Sequence, residues 1–422
     1  MSVARHAPVK VEANSNSAPL AWQPRSPIVV KLTMLGLKGR RKMRNRIILA
    51  LILLLLSGVS YAQAEADVLA FNDAFAAYKA AMQQPRTDLQ MDAARDVLAL
   101  GRTLLEPMDE RLPVLMNNYG AALFAGARQD ESKEILKEAL DLAEEIHGKD
   151  AMRLVGILSN LADAEGESYS PGRQLKLYKR ALKIVANSEG EESDDYAHLA
   201  LRAGNNVYQY SRSAKGRKYI LEAYEFFLAN RGETALETGL AAFYLGRLEF
   251  AKRNHKKSIE YTLASLEAFE APENDPGYQL YARAMLVQAY EDRGQTDLAT
   301  EHCVAIGKLN ELRPNKDYQP LFRMAPSYPK QLLAQGIEGY VDFSFTIDEN
   351  GFVRDPQVVN RASTGRPDSR SINERMVSLE DRSFDAAALK VVERFRYAPR
   401  FVDGKAVAVE GIKTRVTFEL TD

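Results

Sequence analysis

The side chains of this chain that could attack, titrate or hold a metal are scattered along it. Its five histidines stand at His6, His147, His198, His255 and His302, and its only cysteine, Cys303, follows the last of them. Adjacent positions on a helix diverge by about 100° and cannot face one metal, so Cys303 reads as a buried thiol. A single cysteine also rules out an intrachain disulfide. The carboxylate pairs Glu144-Glu145 and Glu191-Glu192 read as solvated or helix-start charge. Asp348-Glu349-Asn350 begins like a calcium loop but lacks the spaced later ligands, and reads as a turn. Phosphate loops, dinucleotide fingerprints, zinc-protease helices and nucleophile elbows are all missing from the sequence. These patterns call for no catalysis, no metal and no cofactor.

The pattern that is organised lies at the C-terminus. From Gly339, Val341, Phe343, Phe345 and Ile347 alternate with Asp342, Ser344 and Thr346, as in a half-buried strand. Asp348 to Gly351 ends in Asn-Gly and supplies a tight turn, and Phe352-Val353 and Val358-Val359 supply the returning strand. Asp381 to Tyr397 changes period, with Phe384, Ala388, Val391, Val392 and Phe395 on one helical face; Pro399 stops it. After Asp403-Gly404, a last strand alternates Val416, Phe418 and Leu420 against Arg415, Thr417 and Glu419, with Gly411 as a bulge. The expected order is strand, strand, helix, strand. The aromatic residues fill its core.

Across about the last ninety-five residues this module resembles the C-terminal domain of the TonB family of periplasmic energy transducers. The matches are "SYP" at Ser327–Pro329, "GIEGYVDFSF" at Gly336–Phe345, "DENGFV" at Asp348–Val353, "FDAAALKVVERFRYAPRFVDGKAV" at Phe384–Val407 and "VTFEL" at Val416–Leu420, in the family's order. Two features depart from it. The segment Arg361–Arg382 is longer and more charged, and Ala325 stands where a polar residue often precedes the Pro-x-Tyr-Pro element. The resemblance implies binding. Such domains take up a short extended peptide from the N-terminus of a TonB-dependent outer-membrane transporter by adding it as a strand. It points to an edge strand formed by Arg415, Val416, Thr417, Phe418 and Glu419, beside Pro326, Tyr328 and Pro329.

The elements that hold this module are helical. Over residues 65–312 a small residue recurs at Ala139, Ala181, Ala223, Ala264 and Ala305, at intervals of 42, 42, 41 and 41. Gly148, Gly190 and Gly232 mark joints 42 apart, and Gly120, Ala162 and Gly204 each precede their partner by nineteen. Gly246 precedes Ala264 by eighteen. A fixed period with small residues at helix crossings predicts an all-α solenoid of about six hairpins. The nineteen-residue pairing resembles a tetratricopeptide repeat (TPR) of the long-helix type, whereas the period also falls in the HEAT/armadillo range of about 40–47. The weakest match is the position twelve after the first small residue, here Ser132, Gln174 and Gly216. The inner groove is the natural surface for a second protein partner. Tyr196, Tyr208, Tyr210, Tyr244, Tyr261, Tyr278, Tyr281 and Tyr290 cluster in the later repeats and read as half-buried packing. Residues 313–327 read as a short linker, and 328–422 as the C-terminal domain. The whole is α+β, a helical-hairpin solenoid followed by a small ββαβ domain.

The first 64 residues differ in kind. A basic run through Arg46, the apolar stretch Ile47–Leu56, and small residues leading to Ala62-Gln63-Ala64 describe a secretory signal with cleavage after Ala64. The polar preface suggests a true start at Met43 or Met34. The segment carries ten Lys/Arg and one acid, so against a total of −1 the remainder is −1 − 9 = −10. The mature chain is acidic, which disfavours nucleic acid as a partner. The sequence therefore predicts a periplasmic TonB-family protein that binds outer-membrane transporters and supports energy-coupled uptake. An envelope-assembly scaffold is the alternative. So is an inner-membrane-anchored transducer contacting the motor proteins, should residues 47–62 stay in place.

Overall fold

The structure, a computed structural model, describes residues 66–166, 171–211, 214–312, 318–365, 376–377, 382 and 384–420. The expected signal segment, with Ala62 and Ala64, lies outside the described residues. Twelve helices come first: α1 (66–82), α2 (Thr87–Leu104), α3 (Arg111–Ala125), α4 (Gln129–His147), α5 (Leu154–Gly166), α6 (Pro171–Glu189), α7 (Asp194–Ser211), α8 (Ala214–Arg231), α9 (Leu236–Ala251), α10 (His255–Phe269), α11 (Pro276–Asp292) and α12 (Thr296–Leu312). The chain falls into two compact units, one through Ile184 and one from Val185 onward. No helix among the described residues is long and apolar enough to cross a membrane.

In the first unit, α4 shows why the hairpins form. Ser132, Ile135, Leu136, Ala139, Leu140 and Ala143 are buried at helical spacing on one stripe, and acidic Asp130 and Glu131 sit in the first turn. Gly148 ends the helix at φ 83°, a conformation that disfavours side chains. Gly120 on α3 must be small because a Cβ there would lie 2.5 Å from Leu136 Cγ. Twelve residues after it, Ser132 Oγ donates to the Gly120 carbonyl at 2.7 Å. The position that matched the repeat pattern least is thus part of the helix crossing. Gln174 holds the same place on α6 and is fully buried.

The second unit repeats this geometry. A Cβ on Gly204 would meet Ile220 Cγ1 at 2.5 Å, and one on Gly246 would meet Thr262 Oγ1 at 2.5 Å. Ile220 and Thr262 are 42 apart, so the residue equivalent to Ala223 is Ser265, which is fully buried, whereas Ala264 is half-buried. The expected slip to eighteen is corrected by this register. Any small residue suits the crossing, so alanine alone does not mark it. Among the clustered tyrosines Tyr281 is exposed and Tyr290 buried, while Tyr196, Tyr208, Tyr244, Tyr261 and Tyr278 are half-buried.

The same unit ends in the sheet module: α13 (Lys330–Ala334), β1 (Ile337–Ile347), β2 (Val353–Gly365), β3 (Met376–Val377), α14 (Asp385–Val392), β4 (Arg400–Val402), β5 (Lys405–Val407) and β6 (Val409–Phe418). The main sheet has the order β3-β2-β1-β6, with β1 antiparallel to both neighbours, and β4-β5 form a separate hairpin. Val341, Phe343, Phe345 and Ile347 from β1 join Phe384, Val391, Val392, Phe395, Val416 and Phe418 in one core. The expected helix over 381–397 is cut to Asp385–Val392. Its apolar spacing is helical, but Arg396 leaves the helix to form strand-like bridges with Phe322 and Phe352. The last strand starts earlier than expected, at Val409, and Gly411 at φ 73° lies at a register shift against β1.

Candidate functional site

Among the described residues β6 pairs with β1 alone, which leaves its other edge open. Ile412 to Phe418 run in unbroken register against Phe345 to Gly339. The alternation of an antiparallel ladder then decides which main-chain groups face outward. The Asp348 N–H at the end of β1 donates to the Phe352 carbonyl on the β2 side at 2.9 Å, so odd-numbered residues of β1 face β6, and the Arg415 carbonyl accepts from the Arg323 side chain, which lies outside the sheet, at 3.2 Å. Even-numbered residues of β6 therefore turn their peptide groups to β1, and Lys413, Arg415 and Thr417 turn theirs away. Val416 and Phe418 bury their side chains in the core; Arg415, Thr417 and Glu419 are exposed. What this edge can do is pair, through backbone groups, with another extended chain.

The opposite edge is blunted. On β2 the register slips twice, and the unpaired residues include Asp355 at φ 49°, Pro356, which has no N–H, and Val359, which stands out into solvent. β3 covers Ser363 and Thr364. Bulges and proline are common means of stopping an edge from pairing. β6 carries one bulge, at Gly411, and none beyond it.

The segment before α13 lies against the end of β6. Tyr328 stacks edge-on against Phe418, with centroids 5.6 Å apart, and against Phe384, and its hydroxyl donates to the Ile337 carbonyl at 2.6 Å. Pro329 caps α13, and Pro326 is half-buried. Tyr328 thus joins Phe418, but Arg415 is reached from this segment by Arg323, a residue the sequence pattern did not single out. On the sheet's exposed face, Arg415 binds Asp342 through two nitrogens, at 2.7 and 2.9 Å, and lies 3.7 Å from the Tyr340 ring centroid. That hydrogen bond holds the Asp342 carboxyl below its ordinary range.

The module is seated on α11 and α12. Arg396, 1% exposed, forms an ion pair with Glu291, 6% exposed, and donates to Thr300 Oγ1 at 2.7 Å and to the Asn350 carbonyl at 3.2 Å. Its guanidinium lies 3.7 Å from the Phe352 ring centroid. Phe322, in the stretch expected as a linker, is buried with Leu286, Tyr290, Cys303 and Ile306. Asp348 accepts the Asn350 and Phe352 N–H groups at 2.9 Å each, which makes it a turn former. The hairpin β4-β5 reaches α12, where the Gly404 N–H donates to Glu311 at 3.1 Å.

Cys303 and His302 carry no site chemistry here. Burial pushes the Cys303 thiol up to about 12, and burial plus the Arg283 guanidinium pushes His302 down to about 4. The Arg283 guanidinium lies 3.2 Å from His302 Nδ1, and Tyr290 stacks on the ring. Arg396, Glu291, Thr300 and Arg323 were missed by sequence reasoning, because partners 92 to 105 residues apart leave no periodic trace.

Residues 324–373 match the family described as Gram-negative bacterial TonB protein C-terminal. Protein TonB of Pseudomonas aeruginosa is 32% identical over 107 residues, 25% of this chain and 25% of that protein. RxLR effector protein SFI4 of Phytophthora infestans is 28% identical over 132 residues, 31% of this chain and 38% of that protein. The chain spans about two fifths or less of the length of these curated relatives. Among solved structures, BtubC from P. vanneervenii is similar at 19% identity and a TM-score of 0.47, over 58% of this chain and 98% of that one.

Proposed function

We propose that this chain is a periplasmic TonB-family protein whose β6 edge captures the N-terminal segment of a TonB-dependent outer-membrane transporter as an added strand, in support of energy-coupled uptake. The observation that carries the reading is the asymmetry of the sheet: β2 is interrupted and partly covered, whereas β6 turns the peptide groups of Lys413, Arg415 and Thr417 outward along an unbroken run. The match of residues 324–373 to a TonB C-terminal family supports a transporter segment as the partner. Main-chain pairing gives such an interaction its affinity, and the exposed side chains beside it give selectivity. The helical hairpins serve as a scaffold for a further periplasmic protein. Reaching the inner-membrane motor would require that the leader be retained.

The test uses the full chain and synthetic peptides copying the N-terminal periplasmic segments of TonB-dependent transporters, titrated by calorimetry. Saturable binding to at least one peptide, lost when Thr417 is replaced by proline, is expected. An absence of binding across the series would sink the reading.

A further inference from the structure

One residue joins the last helical hairpin to the segment that touches the peptide edge. By its side chain Arg396 holds Glu291 on α11 and Thr300 on α12. By its main chain it holds the segment before α13: Leu321 and Phe322 donate to the Arg396 carbonyl at 2.7 and 3.3 Å, and Arg396 donates back to the Phe322 carbonyl at 3.2 Å. The Phe322 ring is buried among α11 and α12 residues. The next residue, Arg323, is exposed, donates to the Arg415 carbonyl on the open edge, and lies 5.4 Å from the Phe395 ring centroid. Among the described residues no carboxylate forms an ion pair with Arg323. Its neighbour across that bond, Arg415, has Asp342.

We propose that residues 318–324 form a clasp, seated on the last helical hairpin through Arg396 and caught on the β6 edge by Arg323, which a captured strand must release. The inference rests on the strand-capture reading and deepens it, because it states how the helices take part. Arg323 and an incoming strand compete for the same carbonyl, so the edge is fully open only in the fraction of molecules with the catch undone. Apparent affinity falls by that fraction. The coupling runs both ways: whatever steadies Phe322 on α11–α12 weakens capture, and capture loosens Phe322. The hairpin thereby registers whether the edge is filled.

The experiment compares the full chain with its Arg323→Ala variant. The probe is a fluorescein-labelled synthetic peptide copying an N-terminal periplasmic transporter segment, followed by anisotropy. Amide hydrogen exchange at Leu321 and Phe322 is measured with and without the unlabelled peptide. Losing one exposed charged hydrogen bond should tighten peptide binding about threefold to tenfold. Peptide should also speed exchange at Leu321 and Phe322 in the wild type. Equal affinity, or exchange that peptide leaves unchanged, would overturn the clasp while strand capture stands. Weaker binding by the variant would overturn it too, since Arg323 would then be gripping the partner. No binding by either protein would remove strand capture itself, and the clasp with it.

Discussion

The sheet module has two contrasting boundaries, the seat it shares with α11–α12 and the open edge of β6. The seat is made of side chains. A nearly inaccessible arginine meets a nearly inaccessible glutamate, and an aromatic ring fills a pocket between two helices. The edge is made of backbone, and its flanking side chains are exposed. A contact of the first kind depends on residue identity. One of the second kind depends on chain direction and hydrogen-bonding capacity, and tolerates many side chains. A side-chain seat holds one element in one place, whereas a backbone edge can pair reversibly with another extended chain.

The sharpest way to break this contrast is to damage the seat. Replacing Glu291 or Arg396 by alanine leaves a buried charge unpaired, and should cost about 3–5 kcal/mol in denaturant unfolding of the full chain. A loss under about 1 kcal/mol would mean that the seat is no more specific than an exposed surface. A Tyr328–Asp422 fragment, which lacks this seat, should unfold more readily than the module does in the full chain.

The next largest effect belongs to the edge. Thr417→Pro removes an outward N–H without taking a ladder bond to β1, so peptide binding should fall by about tenfold or more while thermal stability holds. Val416→Pro strikes an inward-facing group and a core side chain, and should unfold the module. The ladder, rather than the side-chain alternation, makes Thr417 the position to test. If Val359→Asp on β2 weakened peptide binding as Thr417→Pro does, the two edges would not differ in function.

A smaller effect concerns His302 behind the seat. Its folded pKa, about 4, lies below the ordinary imidazole value of 6.5, so the unfolded chain binds more protons between those values. The contribution is fully present above about pH 6.5 and is lost as pH falls toward about 4. His302→Gln should flatten that part of the pH profile of the thermal midpoint. A profile identical to wild type would assign the slope to other groups. The smallest change is expected from Asp342→Asn, since Arg415 is half in solvent and exposed ion pairs are worth about 0–1 kcal/mol.

Much of this was legible beforehand. The helical hairpins, the alternation of β1, and the burial of Phe343, Phe345, Phe384, Phe395 and Phe418 all follow patterns of period two or 3.6. The misreadings came from a single source. Spacing suggested a helix through Tyr397 and an alanine marker at Ala264, and in each case contacts with another element decided otherwise.

By itself the sequence determined which face of each element is buried, because one local period sorts apolar from polar side chains whatever covers them. Tertiary structure alone decided which surface does the covering. Arg396 is one cation among many until folding sets it beside Glu291, and so is Arg323 until folding sets it beside the Arg415 carbonyl. The direction of each peptide group on β6 was also unreadable. Side-chain alternation fixes the two faces of a strand, whereas pairing with β1 chooses which peptide groups are left free.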